Sequence, residues 1–234
     1  MRWSVEVLGG NHFAALLRVH LPEIRVDVDS EDSVFISNAA IGSEVSAEEA
    51  RVRAAAELRH IGAALAVAVS FLPIMGIGRY VKEHATDGAV LGKHAFISVG
   101  TAITVMAGGR MKTSVDGVPI NPERSSAERA KSLSDVDPEF RQASVLLAEA
   151  NYDFRQLYVI FEYVRNAICG NAKNWEILVE KGWATKPELV HFRDTANFLH
   201  RHRPLPFENP MKSRDARELI RRLMRCWVDD KMPA

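Results

Sequence analysis

The chain has 234 residues, 47% of them hydrophobic, and its 30 basic side chains balance 30 acidic ones. That length buries a substantial core as one large domain or two small ones, and the composition excludes a disordered or fibrous chain. Two cysteines alone, Cys169 and Cys226, exclude a disulfide framework and point to reduced thiols in a cytoplasmic protein.

The start carries no leader pattern, because Arg2-Trp3-Ser4-Val5-Glu6 alternates as a strand does. Short β-like runs cover Trp3–Leu8, Leu16–Leu21 with Ile24–Val28, and Ser33–Ser37, punctuated by Gly9-Gly10-Asn11 and Asp29-Ser30-Glu31-Asp32. Ser46-Ala47-Glu48-Glu49 is a capping-box start that predicts a helix to about Phe71. From Ile61 to Gly78 there is no charge, which just reaches the minimum for a spanning helix. Pro73, three glycines and much alanine argue instead for a core helix lying under a sheet, so no membrane association is expected. His94–Met106 is the strongest strand pattern, with Gly100 marking a bend, and Asp116-Gly117 reads as a turn.

Between Pro119 and Asp137 the sequence turns polar, which predicts an exposed linker or marginal helix. Beyond it the period becomes helical. Asp137-Pro138 opens a helix to about Asn151. Leu157, Ile160, Phe161, Val164 and Ile168 form an apolar stripe on a second, ended by Gly170. A short helix runs from Asn174 to Lys181, and Thr185-Lys186-Pro187-Glu188 starts another that reaches about Leu199. After Pro204 and Pro206, Ser213 is expected to cap a last helix with Ala216, Leu219, Ile220, Leu223 and Trp227 on one face. The expected fold class is α+β: a few-stranded amino-terminal sheet on one long helix (1–118), a linker (119–136), and a carboxy-terminal all-α bundle (137–234).

The charge balance holds only on average. The first fifty residues carry three basic side chains against nine acidic ones, whereas His191 to Arg225 carries nine basic against four acidic. Such asymmetry fits an anionic partner for the basic end, or mutual neutralisation of the two ends across a domain contact. Several enzyme signatures are missing. Gly108-Gly109-Arg110-Met111-Lys112-Thr113 lacks the glycine that a phosphate loop needs before its lysine, and Gly76-Ile77-Gly78 lacks a third glycine, with Val81 in its place. There is no nucleophile elbow and no zinc helix. His200 and His202 lack a convincing third ligand, so neither a metal nor a cofactor is expected.

One helix carries the candidate chemistry. Arg193, Asn197 and His200 follow at i, i+4 and i+7, so all three project from one face. A guanidinium holds phosphate through paired donors, a histidine moves protons near neutral pH, and an asparagine orients either group or bonds a sugar hydroxyl. These types suit metal-free RNA cleavage. On the preceding long helix, Glu162 could pair with Arg193 and orient it, or form an ordinary surface pair with Arg165.

Arg193-Asp194, five residues and then His200, set in a helical bundle with a final amphipathic helix after a proline break, resembles the HEPN superfamily. The resemblance covers 137–234 and implies an often dimeric α-helical domain of the kind found in ribonuclease toxins and antiviral defence proteins. In such a domain Arg193 would bind phosphate, His200 or His202 would be acid and base, Asn197 would position substrate and Glu162 would orient Arg193. The same part also resembles a family of bacterial proteins of unknown function, through Tyr158, Glu162, Thr195-Ala196-Asn197, His202 and Pro210-Met211. The expected function is therefore metal-independent RNA binding or cleavage, with RNA or protein partners at the basic helices and a homodimer. The alternative is a non-catalytic interaction protein whose α+β half binds a ligand or partner.

Overall fold

The computed structural model describes residues 2–69, 75–96, 125–149, 153–170, 175–201 and 209–233. It is an α+β protein with two compact units, 1–62 with 71–120 and 63–70 with 121–234.

The first unit is built on one antiparallel sheet of order β2-β3-β1-β4-β5. Its strands are β1 (Trp3–Leu8), β2 (Arg25–Val28), β3 (Val34–Ser37), β4 (Gly76–His84) and β5 (Val90–Ala95). Alternation puts Trp3, Val5, Val7, Val34, Ile36 and Val81 on a fully buried face. The opposite face carries Ser4, Glu6, Phe35, Ser37 and Lys82 by the same register. In β1 and β4 the pairing shifts between Val5 and Val7. There the Glu6 carboxylate accepts the Arg79 and Tyr80 backbone N–H groups at 2.6 and 3.0 Å. A bulge frees ladder donors, and Glu6 takes them up.

Leu16–Leu21 is not a strand. It belongs to helix α1 (Gly10–His20), which buries Phe13, Ala14 and Leu17. Gly9 and Gly10 both have positive φ, at 130° and 62°, so the glycine pair starts a helix where a turn between strands was expected. Helix α2 (Ala39–Gly42) is capped by the Asn38 side chain. Helix α3 (Ala47–Ala68) follows the expected capping box, and Ala50, Ala54, Leu58 and Ile61 form its buried stripe within the first unit. Of the charge-free stretch, Ile61–Ala68 ends α3 and Gly76–Gly78 opens β4, and no described helix is long and apolar enough to cross a membrane. The β4–β5 hairpin escaped the sequence pattern because exposed β5 shows no apolar–polar alternation; Gly88 turns the hairpin at φ 89°. Of the strand expected at His94–Met106 only the first residues fall in β5, and residues 97–106 and the Asp116-Gly117 turn lie outside the described residues.

The second unit is helical. The polar stretch read as a linker contains α4 (Ser126–Val136), opened by a Ser125–Glu128 capping box and burying Ala127, Ala130 and Leu133. From Ser125 onward it is therefore part of the bundle, because three small or apolar residues at helical spacing suffice to seat it. Asp137 then accepts the Glu139 and Phe140 N–H groups to open α5 (Pro138–Glu149). Asp153 and a left-handed Gly170 bound α6 (Phe154–Cys169). Next come α7 (Glu176–Glu180), α8 (Lys186–Arg201) and α9 (Ser213–Lys231). Thr185 and Glu188 make the expected box at the start of α8. Ser213 is the first residue of α9 rather than its cap, a position taken by Lys212 without a side-chain bond. The predicted α9 face (Ala216, Leu219, Ile220, Leu223, Trp227) is buried throughout.

Candidate functional site on helix α8

Aromatic packing sets the orientation of α8. The Phe192 ring stacks on Phe154 and Tyr158 at 6.1 and 6.3 Å and meets Phe161 edge-on at 5.6 Å, all three on α6. Leu189, Phe192, Thr195 and Ala196 are buried. Arg193 and Asn197 lie one turn apart beside this buried stripe and are half-buried, as their i, i+4 spacing requires.

Two polar bonds anchor the chain that returns to α9. The buried Thr195 hydroxyl accepts the Met211 N–H at 2.9 Å. His191 Nε2 donates to the Asn209 carbonyl at 2.7 Å, a partner that can only accept and so fixes the proton on Nε2. The Thr195-Ala196-Asn197 and Pro210-Met211 segments thus have a mutual structural role that their separation in sequence conceals.

Arg193 does not reach Glu162. Its Nε and Nη2 donate to Asp194 Oδ1 at 2.9 and 2.8 Å, and its guanidinium lies 5.5 Å from the centre of the Trp175 ring. Glu162 pairs with Arg165 one turn along α6, at 3.6 Å. The ordinary surface pair is thus the one formed. The Nη1 group and one Nη2 hydrogen of Arg193 point away from Asp194, and an exposed pair of this kind is worth ~0–1 kcal/mol. Asp194 holds the guanidinium in place without sequestering it. His200 continues the helix, its side chain lies outside the described residues, and so does His202. The structure thus brings together Arg193, Asn197 and the backbone of His200, and adds Trp175, which the sequence reading missed. Trp175 is 18 positions from Arg193, and no helical or strand period links the two.

Most of the basic end has other work. Arg221 Nε donates to the Ala66 carbonyl at 3.0 Å, and its guanidinium also meets Glu218. Arg225 donates to the Val67 and Ala68 carbonyls at 2.7 and 3.0 Å. Arg222 reaches the Trp183 carbonyl and Glu188 at 3.1 and 2.9 Å. Arg221 and Arg225 thus cap the end of α3, and Arg222 ties α9 to the segment between α7 and α8. Neither thiol is an activated nucleophile, since burial pushes both Cys169 and Cys226 upward.

Comparison with family models, with curated proteins and with solved structures finds no match to this chain.

Proposed function

We propose that the helical unit binds single-stranded RNA along α8 and cleaves it without a metal, as the HEPN resemblance implies. The observation that carries this reading is the placement of the Arg193 guanidinium against Trp175, with Asn197 one turn further and His200 on the turn after. An indole face stacks a base irrespective of its identity, and a guanidinium beside it takes the adjoining phosphate. Asn197 would bond the ribose. The 2′-hydroxyl would then attack the neighbouring phosphorus, losing its proton to a histidine, while a protonated group gives a proton to the departing 5′-oxygen and a 2′,3′-cyclic phosphate is left. His200 or His202 fills those proton-transfer roles, and a homodimer would bring two such faces together.

The test incubates the protein with labelled single-stranded RNA in EDTA. Binding should weaken as salt rises, because each phosphate contact releases condensed counterions. Arg193→Ala should weaken binding by ~10-fold or more, since a hydrogen bond to a charged group contributes ~1.5–3 kcal/mol. Replacing the operative histidine should abolish cleavage and spare binding. The committed arginines of α9 favour a second reading, a non-catalytic interaction protein. Absence of both cleavage and salt-sensitive binding would select it.

A further inference from the structure

Arginines within the second unit generally have firm partners. Arg129, Arg141, Arg193, Arg217, Arg221 and Arg225 are each at least partly buried, and each donates to a main-chain carbonyl or a carboxylate. Arg165 on α6 is the exception among the described residues. Its side chain is 14% exposed, its Nε is buried without a partner, and it makes no hydrogen bond. The ion pair with Glu162 spans 3.6 Å, too long for one.

That state is costly. A guanidinium carries five donors and stays charged at any ordinary pH. Taking most of it out of water without returning hydrogen bonds raises its energy. Packing holds it there instead. The guanidinium lies 5.7 Å from the centre of the Phe161 ring, within range of a cation–π contact, and Phe161 in turn meets Phe192 edge-on. Arg165 is thus set at the aromatic seam between α6 and α8. Its terminal nitrogens still reach the surface, since only Nε is fully enclosed.

The chemistry that relieves such a group is narrow. A ligand must be anionic and must offer acceptor oxygens to a planar fork of N–H groups, as carboxylates and phosphates do. The carboxylate at hand, Glu162, stays at 3.6 Å although its side chain is 44% exposed and free to turn. A phosphate group brings more acceptor oxygens at no less charge, and it fits where Glu162 fails to close. We propose that Arg165 is a receptor for a phosphate group, free or carried on an RNA strand, which displaces Glu162 on binding. The RNA source rests on the reading of α8 given above; the phosphate site itself does not.

Thermal unfolding of the full chain in phosphate or in chloride, at equal ionic strength, tests the site. Phosphate should raise the parent's midpoint by ~3 °C or more once it is ~10-fold above its Kd. Arg165→Gln and Arg165→Met should both abolish that gain, whereas general salt effects act on parent and variants alike. Arg165→Met should not lower the midpoint in chloride, because it removes an unsatisfied charge from the fold. Glu162→Gln should bind phosphate several-fold more tightly, since the competing carboxylate is gone. The proposal is overturned if the parent gains nothing, if the Arg165 variants keep the gain, or if Glu162→Gln weakens binding. It is equally overturned if Arg165→Met loses stability in chloride, as a structural arginine would. Fluorescence anisotropy with labelled single-stranded RNA separates the two sources. An affinity ~10-fold weaker in Arg165→Gln assigns the phosphate to RNA, and an unchanged affinity assigns it to the free ion. A parent that binds no RNA would end the α8 reading and leave the phosphate result standing.

Discussion

Arg221 offers the sharpest test of how the second unit is held together. Its side chain is 2% exposed and donates to the Ala66 carbonyl, one of the last-turn acceptors of α3 that have no intrahelical partner. Arg221→Met keeps most of the stem and removes the donor. It should cost ~1.5–3 kcal/mol, the range for a hydrogen bond to a charged group. Arg221→Ala also removes two buried methylenes at ~0.8 kcal/mol each, bringing the total to ~3–4.5 kcal/mol. Against a typical total of ~5–15 kcal/mol, the alanine variant approaches unfolding and the methionine variant does not. Urea unfolding followed by tryptophan fluorescence reports this locally, because Trp227 lies buried on the same helix. The double variant with Arg225→Met should be less than additive, since both arginines serve one helix end. If Arg221→Met left the urea midpoint unchanged while weakening RNA binding, Arg221 would be a ligand contact and the capping account would be wrong.

Two further perturbations probe other parts of the fold. A Cβ at position 78 would overlap the Glu6 carboxylate, which is held by two backbone N–H groups, so Gly78→Ala should destabilise the first unit by ~1–3 kcal/mol. Thermal unfolding measures it, and an unchanged midpoint would mean that the carboxylate moves aside freely. The Thr185 backbone N–H, opposed by partial burial and assisted by Arg222, holds the Glu188 carboxyl below its ordinary 4.5. A depressed folded value contributes stability that is complete above the unfolded pKa and is lost as pH falls through the folded one. The stability gap between the parent and Glu188→Gln should therefore shrink as pH drops below about 4.5; a gap constant from pH 7 to 3 would refute the linkage.

What the sequence made legible follows from how local each cause is. Capping residues and apolar stripes act within one or two turns, so α3, α5, α6, α8 and α9 could be read almost to their ends. Strands β1, β2 and β3 were legible because alternation is equally local. Leu16–Leu21 misled because a short, partly apolar run between Gly9-Gly10 and Pro22 suits either period, and burial of Phe13, Ala14 and Leu17 on one face decided for the helix. The β4–β5 hairpin was illegible because an exposed strand needs no apolar alternation. At the candidate site the helical spacing of Arg193 and Asn197 was readable for the same local reason, whereas the Trp175 contact depends on how α7 meets α8. The Ser4–His84 contact had no signal at all: the two meet across 80 positions only because β1 pairs with β4.

The charge asymmetry changes meaning once its residues are placed. Nine basic side chains between His191 and Arg225 suggested a surface for an anion. Four of the arginines on α9 instead donate to main-chain carbonyls, and a donor aimed at a carbonyl in the bundle is not presented to a phosphate. Excess charge in a segment is therefore a weak guide to a partner unless the guanidinium stays accessible. Arg193 meets that condition because its partner, Asp194, is itself exposed and screened, so a phosphate can share the guanidinium without breaking the fold. Any RNA affinity should thus rest on few phosphate contacts, and its dependence on salt should be correspondingly shallow. A steep salt slope would mean that the α9 arginines leave their carbonyls on binding, and the unit would then have to loosen as it took up RNA.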